Sequence, residues 1–191
     1  RSSAASDVYK RQSESITDIV EKRKKMSEII TIGSATIDTF IECDDANIVS
    51  VNTKKCQTEF MAYPYGAKVE VDGFRTAIGG GGVNAASNFA NLGFSTSAIF
   101  KVGKDFLGNT ISEKLKKNNI DMSNIIVSED EQSGFSIILV SFEGNRTVLA
   151  HRGTNGTIKE SEINYDAVKN AKWLYICLLY TSPSPRDRSL S

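Results

Sequence analysis

The sequence predicts an α/β fold: a parallel β-sheet with helices on both faces, joined by a small β-sheet that acts as a lid. Three observations point there. Apolar, β-branched segments alternate with helical ones along the chain, as they do when helices cross between parallel strands. Four consecutive glycines, Gly79 to Gly82, stand between a strand-like segment and a strongly helical one. Two hairpin-like regions, near residues 39–78 and 135–150, fall outside that alternation and supply the lid.

Taken in order, Glu28-Ile29-Ile30-Thr31-Ile32-Gly33 is apolar and β-branched, and it stops at Gly33-Ser34. It predicts a buried strand. No helical periodicity follows between Thr39 and Ile78. Within that stretch, Lys68 to Phe74 alternates polar and apolar residues, which predicts a half-exposed antiparallel strand. Val83 to Leu92 predicts a helix, with Ala85, Ala86 and Ala90 small enough for close packing on a sheet and Gly93 placed to end it. Ser95 to Lys101 is the next buried strand. Asp105 can cap a helix whose Leu107, Ile111 and Leu115 share one face by four-residue spacing. Asn118-Asn119 ends it, and Ile125-Ile126-Val127 is a short strand. Phe135 to Phe142 and Arg146 to Ala150 flank Glu143-Gly144-Asn145, a hairpin signal. Ile163 to Lys172 predicts a helix, and Trp173 to Ile176 begins another buried strand.

The glycine run carries most of the functional information. Glycine has no Cβ, so a ligand can approach its main chain closely. The first N–H groups of a helix have no intrahelical partners. A glycine-rich entry to a helix therefore predicts a place for an oxygen-rich or anionic ligand.

Composition excludes several classes. Cys43 and Cys56 do not make a disulfide framework, and no CxxC pair suggests zinc. His151 is the only histidine, which argues against a multi-histidine metal site and a His-based nucleophilic relay. The chain shows neither a signal peptide nor an apolar stretch of membrane-spanning length, and the expected compartment is the reducing cytoplasm.

Both ends read as foreign to the fold. Ser2-Ser3-Ala4-Ala5-Ser6-Asp7-Val8-Tyr9-Lys10-Arg11-Gln12 resembles a translated sequencing adapter, and Cys177 to Asp187 looks like its partner read in the opposite sense. The expected organisation is residues 1–12 and 177–191 as adapter translations, 13–25 as a leader or tail, and 26–176 as the domain. Setting the end segments aside removes Arg1, Lys10, Arg11, Arg186 and Arg188 with Asp7 and Asp187 from a balance of 23 basic and 23 acidic residues. The remainder is mildly acidic, without the electrostatic footprint of a nucleic-acid or membrane-surface binder.

Four pieces in order carry a family resemblance: Ile30 to Asp38, the glycine run with Asn84, Asn91-Leu92-Gly93, and Val102-Gly103-Lys104-Asp105-Phe106-Leu107-Gly108. Residues 28–176 resemble the N-terminal half of a ribokinase/PfkB-type carbohydrate kinase. The resemblance implies a Rossmann-like, ribokinase-like domain with a β lid over a sugar site, truncated before its C-terminal half. It implies transfer of the γ-phosphoryl of ATP to a sugar or nucleoside hydroxyl, with Mg²⁺. Asp38 matches the family's sugar-binding aspartate at the end of the first strand, where a carboxylate accepts hydrogen bonds from neighbouring hydroxyls. Gly79 and Gly80 match the paired glycines at the lid hinge, and Asn84 matches a substrate-binding asparagine, able to donate and accept. Gly81 stands where ribokinases often carry lysine, so the sugar stays unassigned. A lid-mediated homodimer through strand 67–75 is a further implication.

The family's second signature, an Asp-Thr-x-Gly-Ala-Gly-Asp-like stretch with the catalytic base and anion hole, does not occur here. No catalytic residue is therefore expected within the chain, and the expected fragment is inactive. Two other classes compete. One is a non-catalytic sugar- or nucleoside-binding module. The other is a nicotinamide-dependent Rossmann oxidoreductase, since Gly80 to Ala85 satisfies G-x-G-x-x-A. Against the latter, no acid stands at Lys101-Val102, where that fold would place it. Arg152, after the lid hairpin, reads as an exposed loop arginine in preference to a phosphate ligand.

Overall fold

The structure is a computed structural model that describes residues 27–43 and 45–177. The segments 1–12 and 13–25, and all of the adapter-like tail beyond Cys177, lie outside the described residues.

The body is a parallel three-stranded sheet. Its centre is β1 (Ile29–Gly33), flanked by β6 (Thr96–Ile99) and β11 (Trp173–Cys177). In register, Ile30 lies opposite Leu174 on one side and Ser97 on the other. All five residues of β1 are buried, which is why the segment reads as an unbroken apolar run. Helix α1 (Gly81–Asn91) covers one face, and helix α2 (Phe106–Lys117) joins the same core. Val83, Ala86, Ala98, Phe100, Ile111 and Leu115 pack there with Ala35 and Ile37. Ile30, Ile32 and Ile99 point to the other face, against Ile163, Ala167, Val168 and Ala171 around helix α3 (Tyr165–Asn170). Helices thus cover both faces, as the alternation predicts.

The lid is a four-stranded sheet in the order β10 (Arg146–His151), β9 (Gly134–Val140), β2 (Thr36–Glu42), β5 (Gly73–Gly79). β2 pairs antiparallel with β5 and parallel with β9. The β9–β10 hairpin turns at Gly144, whose φ of 82° only glycine adopts cheaply. A separate hairpin, β3 (Asn47–Asn52) with β4 (Gln57–Ala62), lies between β2 and β5 in sequence and pairs with neither sheet. The remaining two strands, β7 (Lys101–Gly103) and β8 (Ile126–Ser128), pair with each other in parallel.

Four sequence expectations need correction. The antiparallel strand expected at Lys68–Phe74 lies at Gly73–Gly79: residues 68–72 are not in a strand, and Val71 is half exposed despite the alternating pattern. The single strand Ser95–Lys101 is two, because Phe100 leaves the β1 partnership and its carbonyl accepts from the N–H of Ile126, starting the β7–β8 pair. The helix expected over Ile163–Lys172 is only six residues, opened by the Asn164 side chain accepting from the N–H of Ala167. Finally, β11 is not buried. Among the described residues it is the outer strand of the sheet, and Trp173 is 71% and Ile176 58% exposed. Cys177, read as adapter sequence, is the last residue of β11 and lies opposite Gly33.

Candidate functional site

The candidate site lies where the lid meets the body. The chain leaves β1 at Gly33, crosses Ser34-Ala35, and enters β2 in the lid. Asp38 therefore sits three residues into β2, and not at the end of the first strand as the resemblance placed it. It is half buried. Its Oδ1 accepts from the Thr36 hydroxyl at 3.1 Å. The next strand over presents Gly79, the register partner of Thr36. Any Cβ at Gly79 would overlap Asp38 Oδ2 and lie 2.8 Å from Thr36 Oγ1. Gly79 is thus the seat of the Asp38 carboxylate.

Gly80 follows as the N-cap of α1, with φ 96° and ψ 139°. A side chain there would strike Ser34 O and approach Ala35 Cα within 2.8 Å. Gly82 and Gly33 touch backbone to backbone, since a Cβ on either would lie under 3 Å from the other's main chain. The glycine run therefore lets α1 press onto the end of β1.

That packing alters one expectation. The helix-start N–H groups, read from sequence as free for a ligand, are taken. Gly81 N–H donates to Ser34 Oγ at 3.0 Å, and Gly82 N–H donates to Ser34 O at 3.1 Å. Val83 N–H shares the same carbonyl at 3.4 Å, and Asn84 N–H donates to Gly80 O. Ser34 does the capping that an anion would otherwise do. Gly81 contributes close approach instead of a bare N–H. Asn84 stands exposed on the first turn of α1, and its side-chain amide is the polar group that the helix start offers to solvent. The structure thus brings Asp38, Thr36 and Gly79 into contact, ties Gly80 and Gly81 to Ser34, and places Asn84 one turn beyond.

The same geometry counts against the nicotinamide reading. The glycine run follows β5, an antiparallel lid strand, where a dinucleotide fold requires a buried parallel strand. The N–H groups that would hold a pyrophosphate are already bonded to Ser34.

The second motif, Val102 to Gly108, is built for support. Asp105 caps α2, its Oδ1 accepting from Gly108 N–H at 2.8 Å. It also accepts from Ser133 N–H at 2.7 Å and from the Ser133 hydroxyl at 2.8 Å. Burial opposes the charge on Asp105, but the hydrogen bonds from Ser133 and Gly108 outweigh it, and the pKa falls below the usual carboxylate value. Asp105 thereby fixes the entry to β9 at Ser133-Gly134.

Besides the capping Ser34, two supporting groups were missed in the sequence. Lys101, only 5% exposed, places its ammonium 3.1 Å from Glu131 and 3.0 Å from Glu162, and donates to Thr157 O at 3.3 Å. Burial pulls its pKa down, and the hydrogen bonds to Glu162 and Glu131 with their charges raise it above the ordinary lysine value. Asn155 lies in a 3₁₀ turn after β10 and bonds Ala35 twice. Ser34 and Asn155 carry no residue-type signal for such roles, because serine after a strand and asparagine in a Gly-rich turn are common punctuation.

An α/β body carrying a β lid, with a carboxylate lodged at their junction, defines a ribokinase-like fold. The chain belongs to the pfkB family of carbohydrate kinases, whose description matches residues 26–188. It is 30% identical over 151 residues to a ribokinase of Staphylococcus aureus, covering 78% of this chain and 44% of that protein. It is 33% identical over 120 residues to a 2-dehydro-3-deoxygluconokinase of Bacillus subtilis, covering 61% of this chain and 37% of that protein. Among solved structures, Arabidopsis thaliana ribokinase complexed with ribose and ATP superposes with a TM-score of 0.65 at 18% identity, over 81% of this chain and 46% of that one. The chain spans less than half the length of these relatives. Among the described residues, no helix is long and apolar enough to cross a membrane.

Proposed function

We propose that this chain supplies the acceptor-binding part of an ATP-dependent sugar or nucleoside kinase. The observation that carries the reading is the Asp38 carboxylate seated over Gly79 at the lid–body junction, with one oxygen held by Thr36. Its remaining lone pairs suit two adjacent hydroxyls of a furanose or related polyol. Asn84, on the first turn of α1, adds a donor and an acceptor for a third hydroxyl. Gly79 and Gly80, where β5 leaves the lid, permit the lid to close and exclude water, so that phosphate goes to the hydroxyl and not to hydrolysis.

The donor in this reading is ATP, with Mg²⁺. Among the described residues, no group of three or more His, Cys, Asp or Glu is placed to hold a metal ion. No step is therefore assigned to the ion through this part of the chain. Phosphoryl transfer relies on positioning and on groups that stabilise charge on the transferred phosphoryl. The described residues offer an acceptor cradle without a base beside it, so residues 27–177 bind acceptor and do not turn it over. ATP-dependent formation of a sugar phosphate by the 191-residue chain alone would overturn that statement. The proposed compartment is the cytoplasm.

The test is titration of the 191-residue chain with D-ribose, D-fructose and adenosine, followed by calorimetry and by amide chemical shifts. A saturable response to one of them, lost in Asp38→Ala and weakened in Asn84→Ala, supports the reading. A response that survives Asp38→Ala moves the site elsewhere. A non-catalytic binding module would give the same titration, and the two readings part on whether the complete protein consumes ATP in the presence of the acceptor it binds.

A further inference from the structure

We propose that Asn155 is a positioning residue: a latch that fixes the lid to the body and so sets where Asp38 stands. The inference rests on the reading of Asp38 as an acceptor ligand, and nothing in the family resemblance assigned Asn155 a role.

The argument starts from the lid sheet. Its strands meet the body along one level line. Thr36 opens β2 opposite Gly79, the last residue of β5, and opposite Gly134, the first residue of β9. One step along, Phe135 faces His151, the last residue of β10. All four junctions between lid and body therefore fall side by side. A sheet attached along a single line can tilt about that line unless something ties it.

Asn155 supplies the tie. Its side-chain Nδ2 donates to Ala35 O at 2.9 Å, and its Oδ1 accepts from Ala35 N–H at 2.8 Å. Both hydrogen-bonding groups of the residue just before β2 are thus held by one amide, across 120 positions of sequence. Ala35 is fully buried, so losing the pair leaves its N–H and C=O poorly placed to bond water instead. Room for the amide exists because residue 134 is glycine, where any Cβ would overlap Asn155 Nδ2.

The latch is itself anchored. Thr154, fully buried, donates from Oγ1 to Lys101 O at 2.8 Å and from N–H to Gln132 O at 2.9 Å. Thr157 O accepts from the Lys101 ammonium, and the Thr157 hydroxyl donates to Glu131 at 2.7 Å. Gly153 makes the turn with φ 48°. On the far side, the neighbour of Ala35 is Ser34, which caps α1 through Gly81 and Gly82. One line of contacts thus runs from the buried Lys101 through Asn155 to Ala35. From there it reaches both the strand bearing Asp38 and the helix bearing Asn84.

The test is regional hydrogen–deuterium exchange of the 191-residue chain, comparing the wild type with Asn155→Leu and Asn155→Asp. Leucine is similar in shape and removes both bonds. Aspartate keeps an acceptor for Ala35 N–H and loses the donor. The proposal expects exchange of the β2 and β5 amides to accelerate about tenfold in both variants, while β1, β6 and α1 keep their wild-type protection. A purely structural role would raise exchange across the whole chain, and that result overturns the proposal, as does unchanged exchange in the lid or global unfolding of both variants. D-ribose titration of the wild type is read separately. If no sugar binds, the acceptor-site reading fails, while the exchange map still decides whether Asn155 latches the lid.

Discussion

At the scale of single residues, what the site needs is space as much as chemistry. Asp38 can hold its present conformation only because Gly79 has no side chain. Gly79→Ala should therefore displace the carboxylate, costing on the order of 1–3 kcal/mol of stability through overpacking. On the acceptor-site reading proposed above, sugar affinity should fall at least about tenfold alongside, since the Asp38 carboxylate is the part that moves. Denaturant melts and sugar titrations on the same preparations check both, and a variant with full affinity would show that the contact is incidental. Asp105 gives a pH-dependent case. Its folded pKa is lowered, so its contribution to stability is complete above the ordinary carboxylate pKa and is lost as pH falls through the folded value. Glu131 and Glu162 shift in the same direction, Glu131 chiefly through Thr157 and Lys101, and Glu162 through the Lys159 backbone and Lys101. Stability should thus decline as pH drops below about 4, and the decline should be shallower in Asp105→Asn than in the wild type. Urea midpoints between neutral and acid pH measure this directly.

At the scale of elements, burial decides which sequence signals were legible. β1 announced itself because all five residues are buried, and the α2 stripe did so because Ile111 and Leu115 face the core while Asp105 caps it. The hairpin around Gly144 was equally plain, since its turn demands a positive φ. Lys68 to Phe74 misled because alternation reports a strand only where a ladder forms, and the β5 ladder with β2 begins at Gly73. Asp38 was legible as a residue, but its strand was not, because the step from β1 to β2 takes only Ser34 and Ala35. The capping by Ser34 and the Asn155 bonds could not be read, since both join positions far apart in sequence. Lys101 was legible as the last residue of the expected strand Ser95–Lys101, but not as a buried ion-pair partner. Its buried position between Glu131 and Glu162 ties β7 to the segments on either side of the lid hairpin. Lys101→Met should destabilise by about 2–3 kcal/mol, because two carboxylates lose their shared cation at once. Replacing all three charges together, Lys101→Met with Glu131→Gln and Glu162→Gln, should recover part of that loss. A triple variant no better than the single one would mean that the lysine stem, and not the charge, carries the contribution.

At the scale of the whole molecule, the surface is uneven. Among the described residues β11 is the outer strand of the body sheet, and its Trp173, Leu174, Tyr175 and Ile176 are all more than two-fifths exposed. Parallel sheets are normally covered on both faces and rarely end in such a strand. Tyr175 meets Phe89 edge-on at 5.6 Å between ring centres, so part of the strand is held against α1 while Trp173 projects outward. The lid presents a second apolar surface, with Phe74 75% and Leu149 54% exposed on one face, while Val148, 48% exposed, stands on the opposite face with Asp38. It was the lid that the family resemblance marked for a homodimer, and the exposed strand is β5 at Gly73–Gly79, not 67–75. The two surfaces predict different associations. An outer parallel strand such as β11, where nothing covers its edge, invites open-ended pairing, whereas a lid face that meets a second copy of itself closes as a dimer. Trp173→Lys combined with Ile176→Lys should therefore reduce the concentration-dependent mass of the 191-residue chain in light scattering without altering its helical circular dichroism. Where a dimer forms through that lid face, Phe74→Lys with Leu149→Lys should instead convert it to monomer. If the first pair leaves the mass distribution untouched and the second abolishes association, the lid is the interface and the exposed edge strand is tolerated, its twist and the neighbouring charge of Lys172 being enough to keep copies apart.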